Sequence, residues 1–258
     1  MNKLRNSVLL AFVIIVFLSC HSKKEKAPAQ ETAPAKKEDT KNEPSGWEDV
    51  RPSIVEIDSY DDNRILESGQ GFFVDEDLIA TKYSLVNHAN MVMVSPFDTD
   101  KTFRASHYVA VDRINDLVIL KVDSVKRKPI GLFPGTAPQT AKTSYISASS
   151  GKTIQIFTGK LLNLATIKGT KIYRITNRIR KSTFGTPIFV SNKKAIGIAF
   201  SDVVSYEMQS FAIPSFFISR LLDNQNAQPQ TLESLRSITN KKVAAENRKI
   251  KGLVLETD

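Results

Sequence analysis

The sequence predicts an all-β protein that closes with a short helix. From Trp47 onward, short runs of β-branched and aromatic residues recur, as at residues 54–57, 117–122 and 195–200, and turn-forming residues separate them. About a dozen such runs with almost no helical periodicity are typical of a sandwich or a barrel. The first clear helical pattern is the apolar stripe of residues 214–222, in which we expect Pro214 at the first helical position.

The first 19 residues are predicted to be a lipoprotein signal peptide. Lys3 and Arg5 precede an unbroken apolar run of 11 residues, Val8–Leu18, which is too short to span a bilayer as a helix. The run ends in Leu-Ser-Cys, which resembles the lipobox of bacterial lipoproteins. That resemblance implies cleavage before Cys20 and attachment of a diacylglycerol to its thiol. The alternatives are an incidental cysteine and an uncleaved anchor.

Composition divides the rest of the chain into three parts. Residues 20–46 are rich in Lys, Glu, Ala, Pro and Thr and contain no aromatic or large aliphatic residue, which predicts a disordered tether. Residues 47–230 contain the predicted strands and helix. Residues 231–258 form a polar, Lys-rich extension that is too short for a further domain.

Charge and ligand-type residues exclude several kinds of site. The formal net charge is +9, and it falls to +7 when Lys3 and Arg5 leave with the signal peptide. No basic cluster is interleaved with aromatic residues, so we expect no nucleic-acid partner. The three histidines are scattered and the single cysteine is expected to be acylated, which predicts no metal site, and no motif indicates a cofactor.

Four segments, taken in order, resemble the HtrA branch of the trypsin-like serine proteases. Residues 69–74 resemble the Gly-Ser-Gly-Phe strand of that family, and residues 78–86 resemble its Ile-Leu-Thr-Asn-Tyr-His-Val-Val segment. Residues 112–122 resemble its Asp-Leu-Ala-Leu-Leu-Lys-Val segment, and residues 211–222 resemble its closing strand and helix. The resemblance implies two six-stranded β-barrels with a cleft between them.

The same resemblance places the family's catalytic positions on this chain. The base position, a histidine in the family, is Ser84, and the orienting aspartate is Asp116. Ser-Thr-Phe-Gly-Thr-Pro stands where the family carries Gly-Asn-Ser-Gly-Gly-Pro, so the nucleophile position is Phe184. The oxyanion-loop positions are Ser182 and Gly185. A phenyl ring cannot attack a carbonyl and a hydroxyl cannot act as the base near neutral pH, so no catalytic residue set is intact.

The remaining polar residues near these positions are expected to be structural. We expect Asp116 to accept hydrogen bonds from Ser84 and from nearby backbone N–H groups, because a buried carboxylate must be satisfied. His88 and His107 are predicted to be surface residues. The hydroxyl of Ser182, like that of its neighbour Thr183, lies at a different point of the turn from the nucleophile.

Two interpretations of Phe184 are open. Its ring either plugs the cleft or forms the floor of a peptide-binding groove, because this family binds extended peptides by strand addition. We expect the plug.

The sequence therefore predicts a lipid-anchored, non-catalytic trypsin-like domain that acts by binding. His21 follows Cys20 where an aspartate would retain the protein at the inner membrane, which favours the outer membrane. No acidic cluster directly follows Cys20, which favours the periplasmic face over the cell surface. The expected partners are envelope or outer-membrane proteins. The alternatives are a divergent serine endopeptidase and a module that binds a small molecule or glycan in the old substrate cleft.

Overall fold

The computed structural model describes residues 46–148, 154–167 and 169–237. The signal peptide, Cys20 and the tether lie outside the described residues. The first seven strands are β1 Ile54–Asp61, β2 Arg64–Phe73, β3 Leu78–Lys82, β4 Met91–Pro96, β5 Phe103–Ala105, β6 His107–Asp112 and β7 Leu117–Lys121. The later elements are β8 Lys142–Ala148, β9 Ile154–Ile167, β10 Thr170–Ile175, β11 Pro187–Phe189, β12 Ala195–Val204, β13 Glu207–Pro214, α1 Ser215–Asp223 and β14 Gln230–Thr231.

The first half of the fold is an eight-stranded antiparallel sheet. Its strand order is β14-β6-β7-β3-β2-β1-β4-β5. Only Ser106 separates β5 from β6, so one nearly continuous stretch of chain pairs with β4 at its start and with β7 at its end. We expected a closed six-stranded barrel here, but the structure has a curved open sheet. Its two sides are joined by the chain at Ser106 and not by hydrogen bonds between paired strands.

The second half is the expected six-stranded barrel. Its closed order is β10-β13-β12-β11-β8-β9. Between the halves lies one shared hydrophobic cluster that includes Phe72 of β2, Phe189 of β11 and Ile218 of α1. Both halves are thus anchored to the same core, which fixes the cleft between them. The all-β, trypsin-like double-barrel class predicted from the sequence is confirmed.

Helix α1 begins one residue later than the sequence suggested. Pro214 is its N-cap and is still extended, with φ −60° and ψ 142°, because it pairs with Gly197 as the last residue of β13. The first helical residue is Ser215, whose hydroxyl donates a hydrogen bond to the carbonyl of Phe133 at 3.0 Å. The helix buries Ile218 completely.

The fold continues past the boundary that composition suggested at residue 230. Strand β14 pairs with β6 opposite His107 and Tyr108, and residues 232–237 are helical. Leu232 and Leu235 are 2% and 0% exposed in the core of the first sheet. The polar composition of residues 231–258 gave no indication that these two leucines are buried. They attach the segment to the first sheet beside Ser106.

We predict that Leu235→Ala will lower the free energy of unfolding by about 2–5 kcal/mol, because it leaves a cavity in the core of the first sheet. Leu162→Ala is the matched control, since Leu162 is 46% exposed, and its effect should stay within about 0.5 kcal/mol. Urea denaturation of both variants measures the difference. Equal effects would mean that the segment after residue 230 is not part of the core.

Candidate functional site in the cleft between the two halves

Asp116 lies in the turn between β6 and β7. Asp112 shapes this turn, because its carboxylate accepts hydrogen bonds from the N–H groups of Ile114 and Asn115 at 3.1 and 3.0 Å. Asp116 itself adopts the left-handed conformation, with φ 56°, which aspartate tolerates better than most residues. Its carbonyl accepts a hydrogen bond from the N–H of Tyr83 at 3.1 Å. These bonds join the turn to the end of β3.

The carboxylate of Asp116 makes the hydrogen bonds that the sequence analysis expected. The backbone N–H of Ser84 donates to one carboxylate oxygen at 2.6 Å, and the hydroxyl of Ser84 donates to the other at 2.9 Å. Ser84 lies in a short 3-10 turn, residues 83–85, directly after β3. Base position and aspartate position are therefore adjacent, as the spacing of the segments implied.

Lys82 is the principal residue of the cleft that sequence reasoning missed. Its Nζ lies 2.7 Å from Oδ2 of Asp116, and the residue is only 7% exposed. The same ammonium lies 5.3 Å from the ring centre of Phe184 and 4.9 Å from that of Phe200, which is within the range of cation–π attraction. The signal available in the sequence was a lysine at the end of strand β3, which is otherwise apolar except for Thr81.

Lys82, Ser84 and Asp116 together form a neutralised ion pair. Ser84 and Lys82 supply three donors to the Asp116 carboxylate, and two aromatic faces surround the ammonium on its other side. A protonated lysine paired in this way has no lone pair with which to accept a proton. The charge of each partner compensates the burial of the other.

Phe184 is half-buried and packs against the hydrophobic cluster of the second barrel. One face of its environment is therefore core, and the Lys82 ammonium occupies another. The ring fills part of the cleft, as a plug would, and leaves part of its surface accessible, as a groove floor would. Both sequence-based interpretations describe part of its position.

The segment before Phe184 forms a compact 3-10 turn, residues 181–183. The N–H of Phe184 donates to the carbonyl of Lys181 at 3.1 Å, so it does not point at a substrate oxygen. The hydroxyl of Thr183 donates to the carbonyl of Arg180 at 2.9 Å and is buried. Ser182 is exposed to solvent.

Gly185 is required because the two halves approach closely here. Its φ is +94°, and an added Cβ would lie 1.8 Å from the carbonyl oxygen of Gln70. The N–H of Gln70 donates to the carbonyl of Phe184 at 2.7 Å, and the hydroxyl of Thr81 donates to the carbonyl of Gln70 at 2.7 Å. Strand β2 of the first sheet is thus hydrogen-bonded to the loop of the second barrel that carries Phe184.

An apolar groove of about 280 Å³ opens beside Asp116. Ile172, Phe200, Phe211 and Ile213 form much of its wall on the second barrel. Phe200 belongs both to this wall and to the ring pair around Lys82. Asp116, one partner of the ion pair, therefore lines a largely apolar groove, whose other polar lining residues are Asn115, Thr170 and Asp202.

The other predicted polar residues do not join this site. His88 is exposed and lines a surface pocket together with Ser84, but it makes no hydrogen bond to Asp116. The Nδ1 atom of His107 lies 3.0 Å from the hydroxyl of Ser106. In the described part of the chain, no cluster of His, Cys, Asp and Glu could hold a metal ion. Among those same residues, no helix is both long and apolar enough to cross a membrane.

Comparison with known sequences gives a partial match. No family model matches the chain. The chain is 28% identical over 174 residues to the anti-sigma-I factor RsgI9 of Acetivibrio thermocellus, and the match covers 65% of this chain and 24% of that protein. The chain therefore spans about a quarter of the length of this curated relative.

Two solved structures illustrate the likeness in fold. The active form of the Rv3671c protease from M. tuberculosis has a TM-score of 0.62 at 20% identity, over 71% of this chain and 85% of that one. The serine endoprotease from Yersinia pestis has a TM-score of 0.59 at 19% identity, over 69% and 64%. The chain therefore has the fold of the trypsin-like and HtrA-like serine proteases: a closed barrel, a barrel-like sheet and a short C-terminal helix.

Proposed function

We propose that this protein is a membrane-tethered, protease-like domain that acts by binding and not by hydrolysis. The observation that carries the proposal is the ion pair between Lys82 and Asp116, 2.7 Å apart, at the place where an active triad would hold an imidazole. Acyl transfer needs a base that can take a proton from a nucleophile. Here the Asp116 carboxylate pairs with the buried ammonium of Lys82, and the nucleophile position carries the ring of Phe184.

The hydroxyls near Phe184 do not restore the chemistry. The hydroxyl of Thr183 is hydrogen-bonded to the backbone of Arg180, and among the described residues no hydrogen bond joins exposed Ser182 to a histidine. The N–H of Phe184 is used within its own turn, so it is not presented to an oxyanion. A single missing oxyanion donor already costs about 10²–10³ in rate.

The groove beside Asp116 suits an extended protein segment. Its apolar wall can receive side chains, and proteins of this fold class offer a strand edge that accepts peptide by strand addition. A binding site can persist after the catalytic residues are lost, because fold and function are separable. We propose an envelope protein as the partner. A divergent endopeptidase activity and a small-molecule or glycan ligand are the alternatives.

Lipidation of Cys20 would hold the domain at the outer membrane, facing the periplasm. Acyl chains contribute about 0.8 kcal/mol per buried methylene, so two or three of them anchor a protein stably. Tethering raises the effective concentration of the domain for neighbours on the same membrane. A modest affinity of the domain is then sufficient for a specific complex.

We predict that the purified protein will neither cleave unfolded casein nor react with a fluorophosphonate probe. Trypsin, assayed beside it, is the positive control. Labelling or turnover that survives repurification and disappears with Ser182→Ala or with Thr183→Ala would contradict the proposal and establish a divergent peptidase.

We predict that Cys20→Ala will abolish incorporation of labelled fatty acid and move the protein out of the outer-membrane fraction.

Cross-linking in intact cells should give a discrete complex with an envelope protein for the unmodified chain and much less of it for Cys20→Ala, because the effective concentration falls. Lys101→Ala, at an exposed residue that does not line the groove beside Asp116, removes no tether, serves as the comparison and should retain the complex. Monomer alone, combined with saturable binding of a small molecule or glycan, would favour the alternative ligand.

A further inference from the structure

The hairpin between β12 and β13 carries an unusual turn. Val204 pairs with Glu207, so Ser205 and Tyr206 form a two-residue loop, and both have positive φ, 53° and 68°. Hairpin loops of this geometry favour Asn-Gly, because a bulky side chain at positive φ is strained. Tyr206 is the only aromatic residue at positive φ in the described part of the chain.

The ring of Tyr206 makes no packing contact that could offset this strain. Its relative exposure is 102%, which means that it packs against no other residue. Val203 and Met208 lie directly opposite each other behind the turn and are 58% and 67% exposed. A strained and uncovered aromatic residue beside two uncovered apolar residues indicates a contact with another molecule.

A cationic cavity of about 660 Å³ adjoins the hairpin. Met208 and Leu162 line it together with Arg174, Arg178 and Arg180. Leu162 is itself 46% exposed. The cavity and the tip of the hairpin therefore form one surface, with Met208 belonging to both.

The described lining of the cavity carries more positive than negative charge. Glu207 is the one carboxylate among the described lining residues, so the lining has an excess of two positive charges. Within the described ranges, no ion pair involves Arg174, Arg178 or Arg180. The Nη2 of Arg174 donates to Oε1 of Gln209 at 3.1 Å, which orients one guanidinium.

We propose that this surface docks an acidic, apolar-anchored segment of a partner protein. It is defined by seven residues: Leu162, Arg174, Arg178, Arg180, Val203, Tyr206 and Met208. Carboxylates of the partner pair with the guanidinium groups, which suit planar anions, and its apolar side chains cover the exposed hairpin. The inference rests on the proposed binding role, but none of the cavity's lining residues lines the groove beside Asp116.

Charge at the hairpin distinguishes a protein segment from a lipid surface. Asp202 and Glu207 flank the turn and are exposed, so insertion of Tyr206 into an anionic bilayer would bring two carboxylates to the headgroups. Their repulsion and desolvation oppose membrane insertion. A protein segment can match both signs of charge by its sequence.

The test uses the full chain with Cys20→Ala, so that no lipid anchor contributes, and a short labelled peptide in which glutamates alternate with leucines. Fluorescence anisotropy should show saturable binding that is weakened about tenfold or more when lysines replace the glutamates or serines replace the leucines. Arg178→Glu with Arg180→Glu should cause a loss of similar size. Lys101→Glu with Arg104→Glu, an equal change of charge on the first sheet, is the matched control and should leave affinity almost unchanged.

Ser205→Asn with Tyr206→Gly separates binding from folding. This variant relieves the turn, so its melting temperature should rise by about 2–4 °C, while its affinity for the peptide should fall about tenfold. Ile65→Ala, at an exposed apolar residue of β2, is the control and should bind normally. Unchanged affinity in the hairpin variant would overturn the proposal.

Sedimentation with lipid vesicles tests whether Tyr206 contacts a membrane instead of a protein segment. Sedimentation with phosphatidylglycerol vesicles, with phosphatidylcholine vesicles as the neutral control, should show no binding that depends on Tyr206. Tyr206-dependent sedimentation without peptide binding would overturn the proposal in favour of a membrane contact. Loss of peptide binding at this surface with retention of the cross-linked complex in cells would reject the surface and leave the proposed binding function standing.

Discussion

The ion pair between Lys82 and Asp116 is the interaction on which the cleft depends. Lys82 is 7% exposed, and a buried ammonium without a partner is costly in free energy. The Asp116 carboxylate compensates it at 2.7 Å while also accepting two hydrogen bonds from Ser84. The left-handed backbone of Asp116 is strained, and the three donors to its carboxylate account for its persistence.

The pair also connects the two halves of the fold. Lys82 comes from β3 of the first sheet, and the aromatic rings around its ammonium, Phe184 and Phe200, come from the second barrel. The contact between Gln70 and Phe184 lies beside it. The place where the two halves meet is therefore filled in part by packing and by compensated charge.

The sequence predicts the all-β class and the positions of Ser84, Asp116 and Phe184, because these depend on local pattern and on the spacing of four segments. It does not predict Lys82 in the cleft, since a lysine at a strand end is equally compatible with solvent. Only the turn that carries Asp116, distant in sequence, gives the ammonium a partner. The sequence does not predict the positive φ of Tyr206 either, because none of the neighbouring residues requires that conformation.

A double-mutant cycle between Lys82 and Asp116 tests the central claim most directly. The free energy of unfolding would be measured by urea denaturation for the unmodified protein, Lys82→Met, Asp116→Asn and the double variant. Asp116→Asn leaves the buried Lys82 ammonium uncompensated and should cost several kcal/mol. Lys82→Met should cost less, because the Asp116 side chain is 31% exposed and keeps its hydrogen bonds from Ser84. The double change should cost less than the sum of the two, with a coupling energy of about 1–3 kcal/mol. Additive effects, with a coupling energy near zero, would contradict the account, because Lys82 and Asp116 would then not depend on each other.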